Sequence, residues 1–103
     1  MEIWKPLQNF PEYEGSTEGQ IRNIRTRRFL KPVIDEKGNL KVTLRRDNKN
    51  HYVKVGRVLA ETFLGEHPGL DVRFKDSDKT NVCVRNLFWC TRQETLATRS
   101  MTD

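Results

Sequence analysis

Two groups of residues in this sequence could do chemistry: a run of cations and a sparse set of metal-ligating types. The run is RNIRTRRFLK, in which Arg22, Arg25, Arg27, Arg28 and Lys31 follow one another with no acid between them. A guanidinium presents a planar fork of donors that matches phosphate oxygens. A dense cluster of such groups is the footprint of a nucleic-acid backbone, or else a solvated face that keeps a chain in solution. The metal-ligating types are His51, His67, Asp76, Asp78, Cys83 and Cys90. The histidines lie 16 residues apart and the cysteines 7 apart, so neither pair has the close spacing of a zinc site. Two cysteines make no disulfide framework, and nothing in the spacing marks Cys83 as a nucleophile. Asp76 and Asp78 share a polar loop that could catch a cation, but such side chains ordinarily bond their own backbone. No metal and no cofactor are expected.

The elements that must position the cations follow from periodicity. Leu40, Val42 and Leu44 alternate with Lys41, Thr43 and Arg45, the pattern of a half-buried strand. Tyr52 to Val55 reads as a second strand, and Phe29 to Ile34 as a third, kept at an edge by Pro32. Turns at 35–39, where Gly38 can take a positive φ, and at 47–50 join them into a small antiparallel meander. Lys41, Thr43, Arg45, Lys54 and His51 then fall on its outward face. Gln20 to Arg25 fits strand or helix equally well. Trp4 opens the chain as an apolar anchor, cut short by Pro6, and residues 16–19 read as a turn.

From Gly56 the period changes. Val58, Leu59, Thr62 and Phe63 have helical spacing, ended by Gly65, Pro68 and Gly69. A short strand at Asp71 to Lys75, a polar loop at 76–81 and an apolar stretch at Leu87 to Cys90 follow. Thr91 with Glu94 can then cap a mostly polar helix from Arg92 to about Met101. Trp4 and Trp89, with apolar neighbours, are expected in the core. The fold class is α+β: a small antiparallel sheet (1–55), then a helix and a ββα module (56–103), packed as one unit.

Composition bounds what this can be. At 103 residues and 35 % hydrophobic, against the usual ~45–50 %, the chain fits one domain with a thin core. It excludes a large enzyme with an interdomain cleft. No apolar run approaches the ~18 residues of a membrane span, and the acidic, proline-bearing start is unlike a signal peptide. A cytoplasmic protein is expected, with no membrane partner and no small-molecule substrate. The net charge of +5 is uneven. Residues 22–57 hold twelve Lys and Arg against three acids, a local +9.

Two stretches carry a resemblance. EIWKPL, followed by YEGSTEGQIRNIR, resembles the N-terminal DNA-contacting module of phage and intron-type HNH homing endonucleases. VGRVLAETFLGEHPGLDVRFKDSDKTNVCVRNLFWCT resembles the HNH half of the same family. Its most specific pieces are Asp76, Asp78-Lys79-Thr80-Asn81 and Asn86-Leu87-Phe88-Trp89. Together they cover Glu2 to Arg92.

The resemblance also implies which residues should do the chemistry, and here the sequence departs from it. An HNH site needs a histidine to take a proton from water and a divalent metal to stabilise the leaving oxygen. Alignment on the loop and on Asn86-Leu87 puts the general base at Phe74, one metal ligand at Arg73 and the second near Thr95. Phenylalanine accepts no proton, and arginine repels a cation. The family's upstream Val-His-Arg stands as Val55-Gly56-Arg57, and Asn86 survives as a loop brace. The expectation is therefore a catalytically degenerate member with no catalytic residues. Its contacts to nucleic acid, most simply duplex DNA, would come from Arg22, Arg25, Arg27, Arg28, Lys31, Lys41, Arg45 and Lys54. Phe74, flanked by Arg73 and Lys75, could meet phosphate, anchor a protein partner, or turn inward to fill the old site. The alternative function is binding and inhibiting a host replication, transcription or defence protein, in a bacterial cytoplasm if the chain is phage-encoded. A third is an active metal-dependent nuclease.

Overall fold

The computed structural model describes residues 2–67 and 69–91. Strands β1 (Trp4–Leu7), β2 (Phe10–Ser16) and β3 (Ile21–Asn23) form one antiparallel sheet in that order. Strands β4 (Val33–Ile34), β5 (Leu40–Arg46) and β6 (Lys49–Lys54) form a second. Helix α1 (Val55–Phe63) follows directly. Strands β7 (Leu70–Phe74) and β8 (Leu87–Thr91) pair as a hairpin, with a 3-10 turn at Val84–Asn86 between them.

The α+β class holds, with one correction: the single expected meander is two three-stranded sheets. Of residues 20–25, Ile21–Asn23 resolves as strand, because Ile21 pairs with Gly15 and buries its side chain, and the chain then turns. Only Val33 and Ile34 of the expected 29–34 strand pair with β5, while Phe29 makes one bridge to Arg22. The turn at 47–50 is shorter than expected. Asp47 and Asn48 both take positive φ, 54° and 62°, the conformation of a tight two-residue hairpin turn, so β6 resumes at Lys49. Val55 opens the helix rather than ending a strand. Gly38 does take a positive φ, 84°. The expected helix from Arg92, its cap with Glu94, and Pro68 lie outside the described residues.

One core joins both halves. Leu7, Phe10 and Ile21 from the first sheet, Val42 and Leu44 from the second, and Val55, Val58, Leu59 and Ala60 from α1 are buried together with Val82 and Leu87. The helix lies so close to β2 that a Cβ on Gly15 would collide with the end of Leu59. Any larger residue there would push the helix off the sheet. The two sheets are also tied by polar contact: the Arg45 backbone N–H donates to the Tyr13 hydroxyl at 3.1 Å. Trp4 and Trp89 are not core residues, contrary to expectation. Both are half-buried: Trp4 lies between Arg22 and Phe29, and Trp89 packs on the core edge while its indole N–H donates to Gly65 O at 3.0 Å.

Candidate functional site

The eight cations named from the sequence separate into three groups by their surroundings. Arg25, Arg27, Arg28 and Lys31 are exposed in the connection after β3. Asn23 holds this connection: its side-chain oxygen accepts from the backbone N–H of Arg25 (2.9 Å) and Thr26 (3.0 Å), and its carbonyl accepts from Arg27 N–H (2.9 Å). These arginines therefore project from a braced loop. Arg45 and Lys54 are exposed on the outer face of the second sheet.

Arg22 and Lys41 form the third group, and both are already engaged. The Arg22 guanidinium is ion-paired with Glu14 and lies 3.8 Å from the Trp4 ring centroid. Its job is structural: it bridges β2 and β3 and covers an aromatic face. Lys41 is half-buried and pairs with Asp35 at 3.3 Å. Sequence reasoning had assigned both to phosphate, and neither has its charge free.

A residue that the sequence reading passed over sits among the exposed cations. Tyr52 is 75 % exposed on β6, opposite Thr43 and two residues from Lys54. Strand pairing puts Thr43, Arg45, Tyr52 and Lys54 on one face, so a large exposed ring stands within a polar, basic surface. Its signal in the sequence was an aromatic at a strand position whose neighbours Val53 and Leu44 face inward.

The second candidate region is where the resemblance locates a nuclease centre. A cleft of about 610 Å³ lies between the β4–β5 turn, the start of α1, β7 and the loop after it. Lys37, Lys54, Arg57, Arg73 and Lys79 line it, against the single acid Asp71. Arg73 and Lys75 are exposed, and Phe74 is half-buried and packed against the core. Of the three placements open to Phe74, its packing favours the inward one; the exposed aromatic of the hairpin is Phe88, opposite Arg73. Thr95 lies outside the described residues.

The donor set does not fit a divalent cation. The two described positions that should supply a ligand and a base carry a guanidinium and a phenyl ring, and the cleft around them is cationic. Among the described residues no three His, Cys, Asp or Glu side chains come together as a metal cluster. His51 stacks edgewise on Phe10 and His67 on Trp89, and neither cysteine is in a disulfide.

Asp76 and Asn86 brace the loop after β7. The Asp76 carboxylate accepts from Asn81 Nδ2 (2.8 Å), Asn86 Nδ2 (3.0 Å) and Asp78 N–H (2.8 Å). Buried Asn86 also donates to Asn81 O at 2.9 Å and accepts from Asp76 N–H at 3.2 Å. These bonds, the Asn81 amide foremost, hold the Asp76 carboxyl below its ordinary value of 3.8. Asp78 in turn accepts from Thr80, so both carboxylates serve as loop braces.

Comparison with known proteins finds two family models on different parts of the chain. A family model described as the NUMOD4 motif matches residues 2–45, and one described as HNH endonuclease matches residues 53–97. An uncharacterized HNH endonuclease of Acanthamoeba polyphaga mimivirus is 32% identical over 93 residues, 88% of this chain and 28% of that protein. The DNA endonuclease I-HmuI of Bacillus phage SP01 is 30% identical over 92 residues, 87% of this chain and 53% of that protein. A solved structure titled for DNA binding and cleavage by the HNH homing endonuclease I-HmuI aligns with a TM-score of 0.86. It is 27% identical, with 97% of this chain and 59% of that chain covered. The chain spans between about a quarter and about half of the length of these curated relatives.

Proposed function

The chain belongs to the HNH homing endonuclease family, and from that membership we propose that it binds duplex DNA without cleaving it. One observation carries the reading. Arg73 and Phe74 occupy the positions of a metal ligand and a general base, and Phe74 is packed inward beside Gly56. A phenyl ring cannot take a proton from water, and a guanidinium opposes the cation that would stabilise the leaving oxygen.

Binding rests on the exposed cations. Arg25, Arg27, Arg28 and Lys31 on the braced loop, with Arg45 and Lys54 on the sheet face, reach phosphate as positioning contacts, Arg27 through a guanidinium that also touches Glu14 at 3.7 Å. Tyr52 adds an apolar surface among them. One relative named as a DNA endonuclease, whose structure is titled for DNA binding and cleavage, supports the choice of DNA.

A mobility-shift titration with duplex DNA at low and moderate salt tests binding. Affinity should fall by about 0.9 log units per tenfold salt for each phosphate neutralised. Plasmid incubation with magnesium or manganese tests the loss of cleavage. No shift at micromolar protein and low salt would end the binding reading, and chelator-sensitive nicking would end the non-catalytic one.

A further inference from the structure

We propose that the cleft at the former nuclease centre is a metal-independent phosphate site. It goes beyond the sheet-face reading, because the cleft's own lining carries it. Arg57 is partly offset by Glu61 at 3.4 Å and hydrogen-bonds Leu70 O at 3.4 Å, which leaves Lys37, Lys54, Arg73 and Lys79 facing one carboxylate, Asp71. Like charges gathered in one cavity repel, and an anion between them removes that repulsion.

The geometry narrows the anion. The Lys79 ammonium donates to Lys37 O at 3.1 Å, so the loop after β7 is clasped to the β4–β5 turn and one wall of the cleft is set. Two further N–H groups remain on that ammonium for a ligand. Arg73 adds a planar fork on an exposed strand position. The remaining lining includes Leu40, Val72 and the Phe74 ring, an apolar patch with no donors of its own. Several cationic donors gathered around one cleft fit the oxygens of a phosphate group. Where a divalent cation would have bridged protein and phosphate, ammonium and guanidinium groups meet the oxygens directly. The phosphate could belong to a DNA backbone or be free, and the two sources are separable.

The test is amide NMR on the nitrogen-labelled chain in EDTA, titrated separately with inorganic phosphate and with a short mixed-sequence duplex. Amides of Gly56, Arg73 and Lys79 should shift with phosphate, and added magnesium should not tighten binding. In the Arg73→Gln, Lys37→Gln double variant, both positions being exposed, phosphate affinity should drop about tenfold with the rest of the unliganded spectrum unchanged. Shifts of the same amides with the duplex assign the site to the DNA backbone. Cleft shifts with phosphate alone support the site and assign it to free phosphate. Cleft amides silent to both probes overturn the proposal, and so does a requirement for magnesium. Duplex shifts at Arg45 and Tyr52 with a silent cleft overturn it while leaving DNA binding intact, so the two readings fail separately.

Discussion

The Phe74 ring lies against the backbone of Gly56. A Cβ placed on Gly56 would stand 3.2 Å from Phe74 Cζ and 3.5 Å from Cε2. Both positions correspond to family histidines in the alignment, so the loss of one side chain accompanies the inward turn of another. The two substitutions should therefore be coupled. Gly56→His is expected to cost about 1–3 kcal/mol by overpacking against the ring. Phe74→Ala in that background should recover part of the loss, a non-additivity above about 0.5 kcal/mol in urea unfolding. Additive effects would show that the ring does not occupy that space.

Restoring the base alone should not restore cleavage. Phe74→His supplies an imidazole, but the Arg73 guanidinium remains beside it in a cleft lined by Lys37, Lys54 and Lys79. A cation there would meet like charge before any ligand. Plasmid nicking by this variant in magnesium should stay at the level of the unaltered chain. Chelator-sensitive nicking by the single variant would mean that Arg73 does not block a metal.

Arg22 and Arg45 should part company although both are arginines in the basic third of the chain. Arg22→Ala removes a half-buried ion pair with Glu14 and a cation over Trp4, and should cost about 1–2 kcal/mol of stability. Its DNA salt slope should not change. Arg45→Ala should leave stability within about 0.5 kcal/mol and lower the salt slope by about 0.9. Thermal melts and salt-dependent binding on both variants decide the matter. A slope change in Arg22→Ala would return that residue to the phosphate contacts.

Tyr52 makes a different kind of contact and should leave a different trace. Removing its exposed ring takes away apolar surface but no charge. Tyr52→Ala should weaken duplex binding by roughly 1 kcal/mol, with the salt slope unchanged. Binding equal to that of the unaltered chain would remove Tyr52 from the interface.

How much of this was readable in advance depended on distance along the chain. Strand β5 and helix α1 announced themselves, because Leu40, Val42 and Leu44 alternate and Val58, Leu59 and Phe63 keep a helical period. Strands β1 and β2 did not, since Pro6 and Pro11 interrupt any alternation, and Gly15 is buried because Leu59 and Leu7 come to rest on it. That Phe74 and Arg73 stand where the resemblance expects a base and a metal ligand was legible by alignment. The cationic cleft was not: Lys79 and Lys37 are 42 residues apart and meet only through folding. Arg22 looked free for the same reason, its partner Glu14 lying on the neighbouring strand.

The loop braced by Asp76 and Asn86 should give the molecule an acid-sensitive joint. The Asp76 carboxyl sits below its ordinary 3.8 because Asn81, the Asp78 backbone and Asn86 all donate to its ionised form. A carboxyl lowered in the folded state contributes stability in full above its unfolded value, and loses it as pH falls through its folded value. The affected window is therefore pH below about 3.8. Asp35 is lowered too, chiefly by the Asn39 backbone N–H, and shares that window. Asp76→Asn isolates one contribution: melting temperature should fall less steeply below about pH 4 in this variant than in the unaltered chain. Asn86→Ala tests the other half of the brace at neutral pH. It leaves the Asn81 carbonyl and the Asp76 N–H without the buried amide that they bond, and should cost about 1–3 kcal/mol. Identical acid slopes for Asp76→Asn and the unaltered chain would show that the carboxylate is not what holds the loop, and a parent-like melting temperature for the Asn86 variant would show the same of the amide.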